Sequence, residues 1–165
     1  MTRYYYAGGR RVELEPDDQY VAVDEKAADA AGVRVGVGGT PVRRLPGGVI
    51  VSPRSELSEA GLERLSQAGA LRPVFRHQDS MMVPLPEIRV EFDNAKQRAA
   101  VRKAIPGAPF QAQVSDESAN GLVLRPASGR SDDALALANY IYEEAHPAAA
   151  SVRFVQFVPK PDVRP

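Results

Sequence analysis

From Ile88 to Phe92 apolar and polar residues alternate, the period of a strand with one face in a core. Asp93 or Asn94 then offers an N-cap for a helix running to about Ile105, where Pro106-Gly107 stops it. Phe110 to Val114 reads as a second strand, Ser115 to Asn120 as a polar turn and Gly121 to Arg125 as a third strand closed by Pro126. Ser131 is placed to cap a further helix. Asp132 and Asp133 in its first turn suit the positive end of the dipole, and Ala134, Leu137, Ala138, Ile141 and Ala145 fall on one face. His146-Pro147 ends it, and Ser151 to Val158 supplies a last strand, apolar at Val152 and Phe154 and, after a shift of phase, at Phe157 and Val158. The order is β-α-β-β-α-β.

The first half reads the same way. Gln19 to Asp24 is a strand, Glu25 to Ala31 a short helix, and Val33 to Val37 with Val42 to Leu45 an irregular strand region. Gly48 to Ser52 follows as a strand, then a helix capped by Ser55 or Ser58 and running to about Ala68, then a closing strand from Leu71 to Arg76. The two halves also share residues. Gly48-Val49-Ile50-Val51-Ser52-Pro53-Arg54-Ser55 returns 73 positions later as Gly121-Leu122-Val123-Leu124-Arg125-Pro126-Ala127-Ser128. Val12-Glu13-Leu14 returns as Val83-Pro84-Leu85, and Tyr20 to Glu25 as Arg89 to Asn94. Each half is preceded by a hairpin arm, Tyr4 to Leu14 folded at Gly8-Gly9 and Val74 to Leu85 folded near Gln78-Asp79-Ser80, the second sharing its first strand with the end of the first half. The predicted fold is α+β: two tandem ferredoxin-like units, each an antiparallel sheet with helices on one face. The expected divisions are residues 1–83, 84–158 and an extended tail at 159–165.

Charge narrows the choice of partner. The chain has 21 Lys+Arg and 21 Asp+Glu, balanced separately in the two halves, so no long-range field draws it to nucleic acid or to an anionic bilayer. Without cysteine there are no disulfides, no thiolate chemistry and no Cys-ligated metal. No stretch approaches the ~20 apolar residues of a membrane span, and Met1 to Gly9 lacks the apolar run of a signal peptide. As written, the chain is expected in the cytoplasm; as a fragment of a precursor, it would be secreted.

Catalytic residue types are present without catalytic arrangement. His77, Asp79 and Ser80 are consecutive residues of one expected turn, whereas a triad converges from separate elements. His77 and His146 have no clustered carboxylates to complete a metal site. Gly36-Val37-Gly38-Gly39 has neither phosphate-loop spacing nor a following helix. The third strands, Val49-Ile50-Val51 and Leu122-Val123-Leu124, lack the aromatic side chains on which an RNA-recognition sheet stacks bases. Tyr4-Tyr5-Tyr6 reads as cover for a sheet and its edge. No catalytic residue, metal or cofactor is expected.

The chain resembles the N-terminal prodomains of bacterial subtilisin-like serine proteases of the fervidolysin type. The likeness lies in Tyr4-Tyr5-Tyr6-Ala7-Gly8-Gly9 with Val12-Glu13-Leu14, in Arg72-Pro73-Val74-Phe75 leading to Val83-Pro84, in Glu87 to Phe92, and in the closing Val152 to Pro159. The resemblance implies a propeptide that docks its sheet on the protease and passes its C-terminal tail through the substrate cleft, acting as folding chaperone and inhibitor, in cis or in trans. It places Phe157, Val158, Pro159, Lys160, Pro161 and Asp162 in that cleft as an added strand. It also places Asp116 and Glu117, in the turn between central strands, over helix N-termini of the protease. Binding would draw on apolar sheet-face contacts and main-chain hydrogen bonds along the tail. No subtilase Asp, His or Ser motif occurs, and the Glu usual before the tail proline is Val158 here. The alternative is a ferredoxin-like sensory or assembly module that binds a small molecule or a protein at the joint between the units.

Overall fold

The computed structural model describes residues 2–35 and 43–159. Along the chain run β1 (Tyr4–Ala7), β2 (Arg10–Glu13), β3 (Glu15–Pro16), β4 (Tyr20–Asp24), α1 (Glu25–Ala30), β5 (Arg43–Leu45), β6 (Val49–Pro53), α2 (Glu59–Gln67), β7 (Leu71–Arg72) and β8 (Phe75–His77). They are followed by β9 (Ser80–Glu91), α3 (Ala95–Ala104), β10 (Ala112–Ser118), β11 (Gly121–Pro126), α4 (Ser131–Ala145) and β12 (Ala149–Phe157). This is an α+β chain with antiparallel sheets. Its contacts divide it into two units. Unit 1 joins the chain through Leu14 to Pro84–Arg153, and unit 2 joins Glu15–Val83 to the chain from Phe154 onward.

In unit 1 the strands lie in the order β10-β11-β9-β12, that is second, third, first, fourth. Ile88, Val90, Leu122, Leu124, Ala150 and Val152 alternate along their strands and are all buried. Val101 of α3 and Ala134, Leu135, Leu137, Ala138 and Ile141 of α4 are buried with them. The side chains between, at Arg89, Glu91, Arg125 and Arg153, are exposed, so the helices take one face and the other stays polar. Asn94 caps α3 by accepting from Gln97 N at 2.9 Å, and the Gln97 side chain accepts from Asp93 N at 2.7 Å, a reciprocal cap.

Three expectations change here. Ser131 does not cap α4. It lies inside the first turn, while Ser128 accepts from Arg130 N at 3.2 Å and donates to Asp133 Oδ2 at 2.6 Å. Ser115 to Asn120 is mostly strand: β10 runs to Ser118 through a bulge between Val114 and Asp116, and only Ala119-Asn120 turns. The β1–β2 hairpin turns at Gly8-Gly9, both at positive φ, but it packs in unit 1, along α4 rather than on a sheet. Asn139 Nδ2 donates to Tyr4 O at 2.8 Å, the Tyr4 and Tyr6 hydroxyls donate to Glu143 Oε1 at 3.1 and 2.8 Å, and Tyr6 stacks on Tyr142 at 4.3 Å. These contacts come from residues more than 130 positions apart, which local periodicity does not encode.

Unit 2 repeats the strand order as β5-β6-β4-β7. Asp24 caps α1 through Ala27 N at 3.1 Å, and of the two candidates Ser58 caps α2 through Gly61 N at 3.0 Å. Val21, Val23, Ala28, Val33, Leu65 and Ala70 form one buried cluster. The closing strand is shorter than the apolar pattern predicts. Pro73 has no N–H to pair, so β7 stops at Arg72 and the chain enters a second ribbon, in which β8 pairs with β3 and with the start of β9. The end of the first half and the start of its arm are therefore separate strands in separate sheets. The repeated Gly48 and Gly121 blocks both become the third strand of their unit, whereas Val12-Glu13 lies in the hairpin and Val83 to Leu85 in β9. Of the strand region expected at Val33–Val37 and Val42–Leu45, residues 43–45 form β5, Val33 to Val35 are not strand, and residues 36–42, including the Gly36 to Gly39 run, lie outside the described residues.

Candidate functional site

The exit of the chain from β12 is held by unit 2. Phe157 is buried at 6% exposure, edge-on to Tyr20 at 5.7 Å, with the Arg43 guanidinium 5.8 Å from its ring centre. Arg43 Nη1 also donates to the carbonyl of Val158. Phe157 is thus a core residue rather than part of a free tail. Val158 is 58% exposed, Pro159 is half-buried, and Lys160, Pro161 and Asp162 lie outside the described residues. The phase shift has a structural meaning: Val152 is buried in unit 1, and Val155 and Phe157 are buried in the segment that unit 2 contains.

Asp116 and Glu117 are strand residues, not turn residues, because the bulge at Ser115 lets β10 continue past them. Arg98 and Arg102, one helical turn apart on α3, both donate to the Glu117 carboxylate, the first at 2.5 Å. Hydrogen bonds from Arg102 and Arg98 hold this carboxyl below the usual glutamate range. Its folded-state affinity for a proton is below the unfolded one, so its contribution to stability is present above the ordinary glutamate pKa and is lost as pH falls through the lowered value. An NMR titration is expected to find the Glu117 midpoint below that of free glutamate, with Glu117→Gln removing that titration and loosening α3 from β10 in hydrogen exchange. A midpoint at the ordinary value would contradict the pairing. For Glu117 to cap a partner's helix, both arginines would have to be displaced. Asp116 is exposed and accepts from Glu117 N at 2.9 Å.

The helix-free face of unit 1 departs from the apolar docking face that the resemblance implies. Asp116, Val123 and Arg89 occupy one cross-strand row on β10, β11 and β9, with Glu91 beyond them and Glu87, Arg125 and Arg153 toward the other end. Val123 is the single large apolar residue named in this set, and it is half-buried. At the Glu91 end an open depression of about 730 Å³ is lined by Arg89, Glu91, Asp93, Asp116, Asn120 and Val123 among others. Strand alternation could have located this face, since Arg89 and Glu91 interrupt the apolar residues of Ile88 to Phe92 at every second position. That three arginines meet on it follows only from the strand order.

The triad residue types stay together at one hairpin turn. His77 and Ser80 flank the Gln78-Asp79 turn of the β8–β9 hairpin, and Ser80 Oγ donates to His77 O at 3.0 Å. His146 ends α4 in the left-handed conformation, at φ 48°. Among the described residues no group of three His, Asp or Glu side chains is arranged to hold a metal ion, and no helix is long and apolar enough to cross a membrane. Comparison of the chain with protein-family models, with curated proteins and with solved structures gave no match.

Proposed function

We propose that the two units are tandem ferredoxin-like modules and that the chain is a non-enzymatic, prodomain-like protein that binds a subtilisin-like protease as inhibitor, folding chaperone or both. The observation that carries this reading is the strand order of unit 1, second-third-first-fourth with both helices on one face. It is the arrangement that the resemblance in Glu87 to Phe92 and Val152 to Pro159 calls for. The fourth strand lies beside the first, and the chain leaves it past Val158, which is exposed and free to add as an extended strand once Arg43 releases its carbonyl. Docking would then run through polar contacts at the open sheet face and main-chain hydrogen bonds at the tail.

The test is residual peptide hydrolysis by an active subtilisin-like protease from the same source, with the full chain and with a version ending at Phe157. Inhibition by the full chain alone is the expected result. Equal inhibition by both would remove the tail from the mechanism, and inhibition by neither would remove the protease. The charged sheet face favours one other reading, an assembly module whose partner is not a protease. A ligand or protein that raises the unfolding temperature with no protease present would select it.

A further inference from the structure

Three arginines meet on the helix-free face of unit 1 from three neighbouring strands: Arg125 on β11, Arg89 on β9 and Arg153 on β12. Arg125 and Arg153 flank the single carboxylate of Glu87 at 3.8 and 3.6 Å, beyond hydrogen-bond length. Arg89 stands two residues from Glu87 along β9, hence on the same face, and forms no ion pair or side-chain hydrogen bond with a described residue. Glu87 is 14% exposed, while the side chains of Arg125 and Arg153 are 55% and 45% exposed. The carboxylate therefore lies beneath two guanidinium groups, which one acid cannot neutralise. Each guanidinium carries five N–H donors in a planar fork, and the three side chains are exposed.

We infer that this face docks an acidic polypeptide surface, whose carboxylates are taken bidentately by Arg89, Arg125 and Arg153. Charge complementarity selects the occupant: Arg125 and Arg153 at Glu87, with Arg89 next along β9, leave this end of the face with more cations than anions while Glu91 and Asp116 balance the face as a whole, and the fork geometry matches a carboxylate. The same face disfavours nucleic acid. Glu91 stands beyond Arg89 on β9 and Asp116 lies in the cross-strand row of Arg89, where a regular phosphate backbone would have to cross them, and that row offers no aromatic ring to a base. The acidic end also sets orientation, since a partner's carboxylates are accepted at the Glu87 end and repelled at the Glu91 end. This inference concerns the same open sheet face that the protease reading uses for docking, and it does not require the partner to be a protease.

The experiment titrates the full chain with poly-L-glutamate and, separately, with a single-stranded DNA oligonucleotide, following backbone and arginine side-chain NMR shifts. Poly-L-glutamate is expected to shift β9, β11 and β12 around Arg89, Arg125 and Arg153, with binding that falls as salt rises through about 0.15 M. The R89Q/R125Q/R153Q variant is expected to bind about ten-fold more weakly or worse. R89Q alone breaks no ion pair and so keeps the fold if the triple variant does not; it is expected to weaken binding about three-fold. Absence of binding, shifts centred elsewhere, an unchanged affinity in R89Q, or tighter binding of the oligonucleotide at this face would each overturn the inference.

Discussion

Alanine at Gly121 is expected to destabilise unit 1 by about 3 kcal/mol, while alanine at Gly48, the matching position of the repeat, costs about 1 kcal/mol in unit 2. The two glycines start the same sequence block for different reasons. A Cβ built on Gly121 would stand 2.6 Å from the carbonyl oxygen of Val90, a main-chain atom fixed in the β9–β11 ladder. Nothing flexible can yield there, so the strands must separate or the ladder must break. Gly48 has open space around its Cβ position but sits at φ +74°, where an L side chain pays in backbone strain alone. Denaturant unfolding of the two variants checks this. Equal costs would mean that the repeat conserves a backbone conformation rather than a close approach.

Asparagine at Asp24 is expected to destabilise unit 2 by about 2–3 kcal/mol although it keeps the helix cap. Asp24 has two duties on separate oxygens. Oδ1 accepts from Ala27 N and caps α1, while Oδ2 accepts from Arg72 at 3.0 Å. The Arg72 side chain is 5% exposed and also donates to Gly69 O at 2.9 Å. Burial works against its charged form, and Asp24 is the group that opposes this. The Asp24 side chain is 31% exposed, which makes its own charge less costly to leave alone. Removing the acid therefore strands a buried cation, whereas Arg72→Met leaves a carboxylate that water can reach. The expected order of stability is wild type, then Arg72→Met, then Asp24→Asn, read from unfolding midpoints. Asp24→Asn at or above Arg72→Met would mean that the ion pair contributes little and the cap nearly all.

Features decided within a few residues were legible in the sequence. Asn94 and Ser58 cap helices because a short polar side chain before an apolar period satisfies N–H groups two or three residues on. Turns at Gly8-Gly9 and Gln78-Asp79 are marked by residues that tolerate or favour positive φ or a tight reversal. The tail illustrates the opposite case. Phe157 ends an apolar strand pattern, and nothing local distinguishes a side chain that meets a partner from one that meets Tyr20 and Arg43 of its own chain. Ser115 to Asn120 misled for a related reason: polar residues mark a turn, but they also mark an edge strand exposed on both faces, as β10 is from Gln113 to Ser118.

The sequence by itself determined two β-α-β-β-α-β runs, the caps of α2 and α3, and the alternation that buries one side of each sheet strand in unit 1, because hydrogen bonding over one turn and the strand period of two are local properties. Tertiary structure alone decided that the β1–β2 hairpin packs with Pro84–Arg153, that the chain from Phe154 joins Glu15–Val83, that Glu117 is taken by α3, and that Arg125 and Arg153 flank Glu87 on the face that also carries Arg89. Each of these depends on strand order and register, which bring together side chains separated by tens of residues and leave no period in the sequence between them.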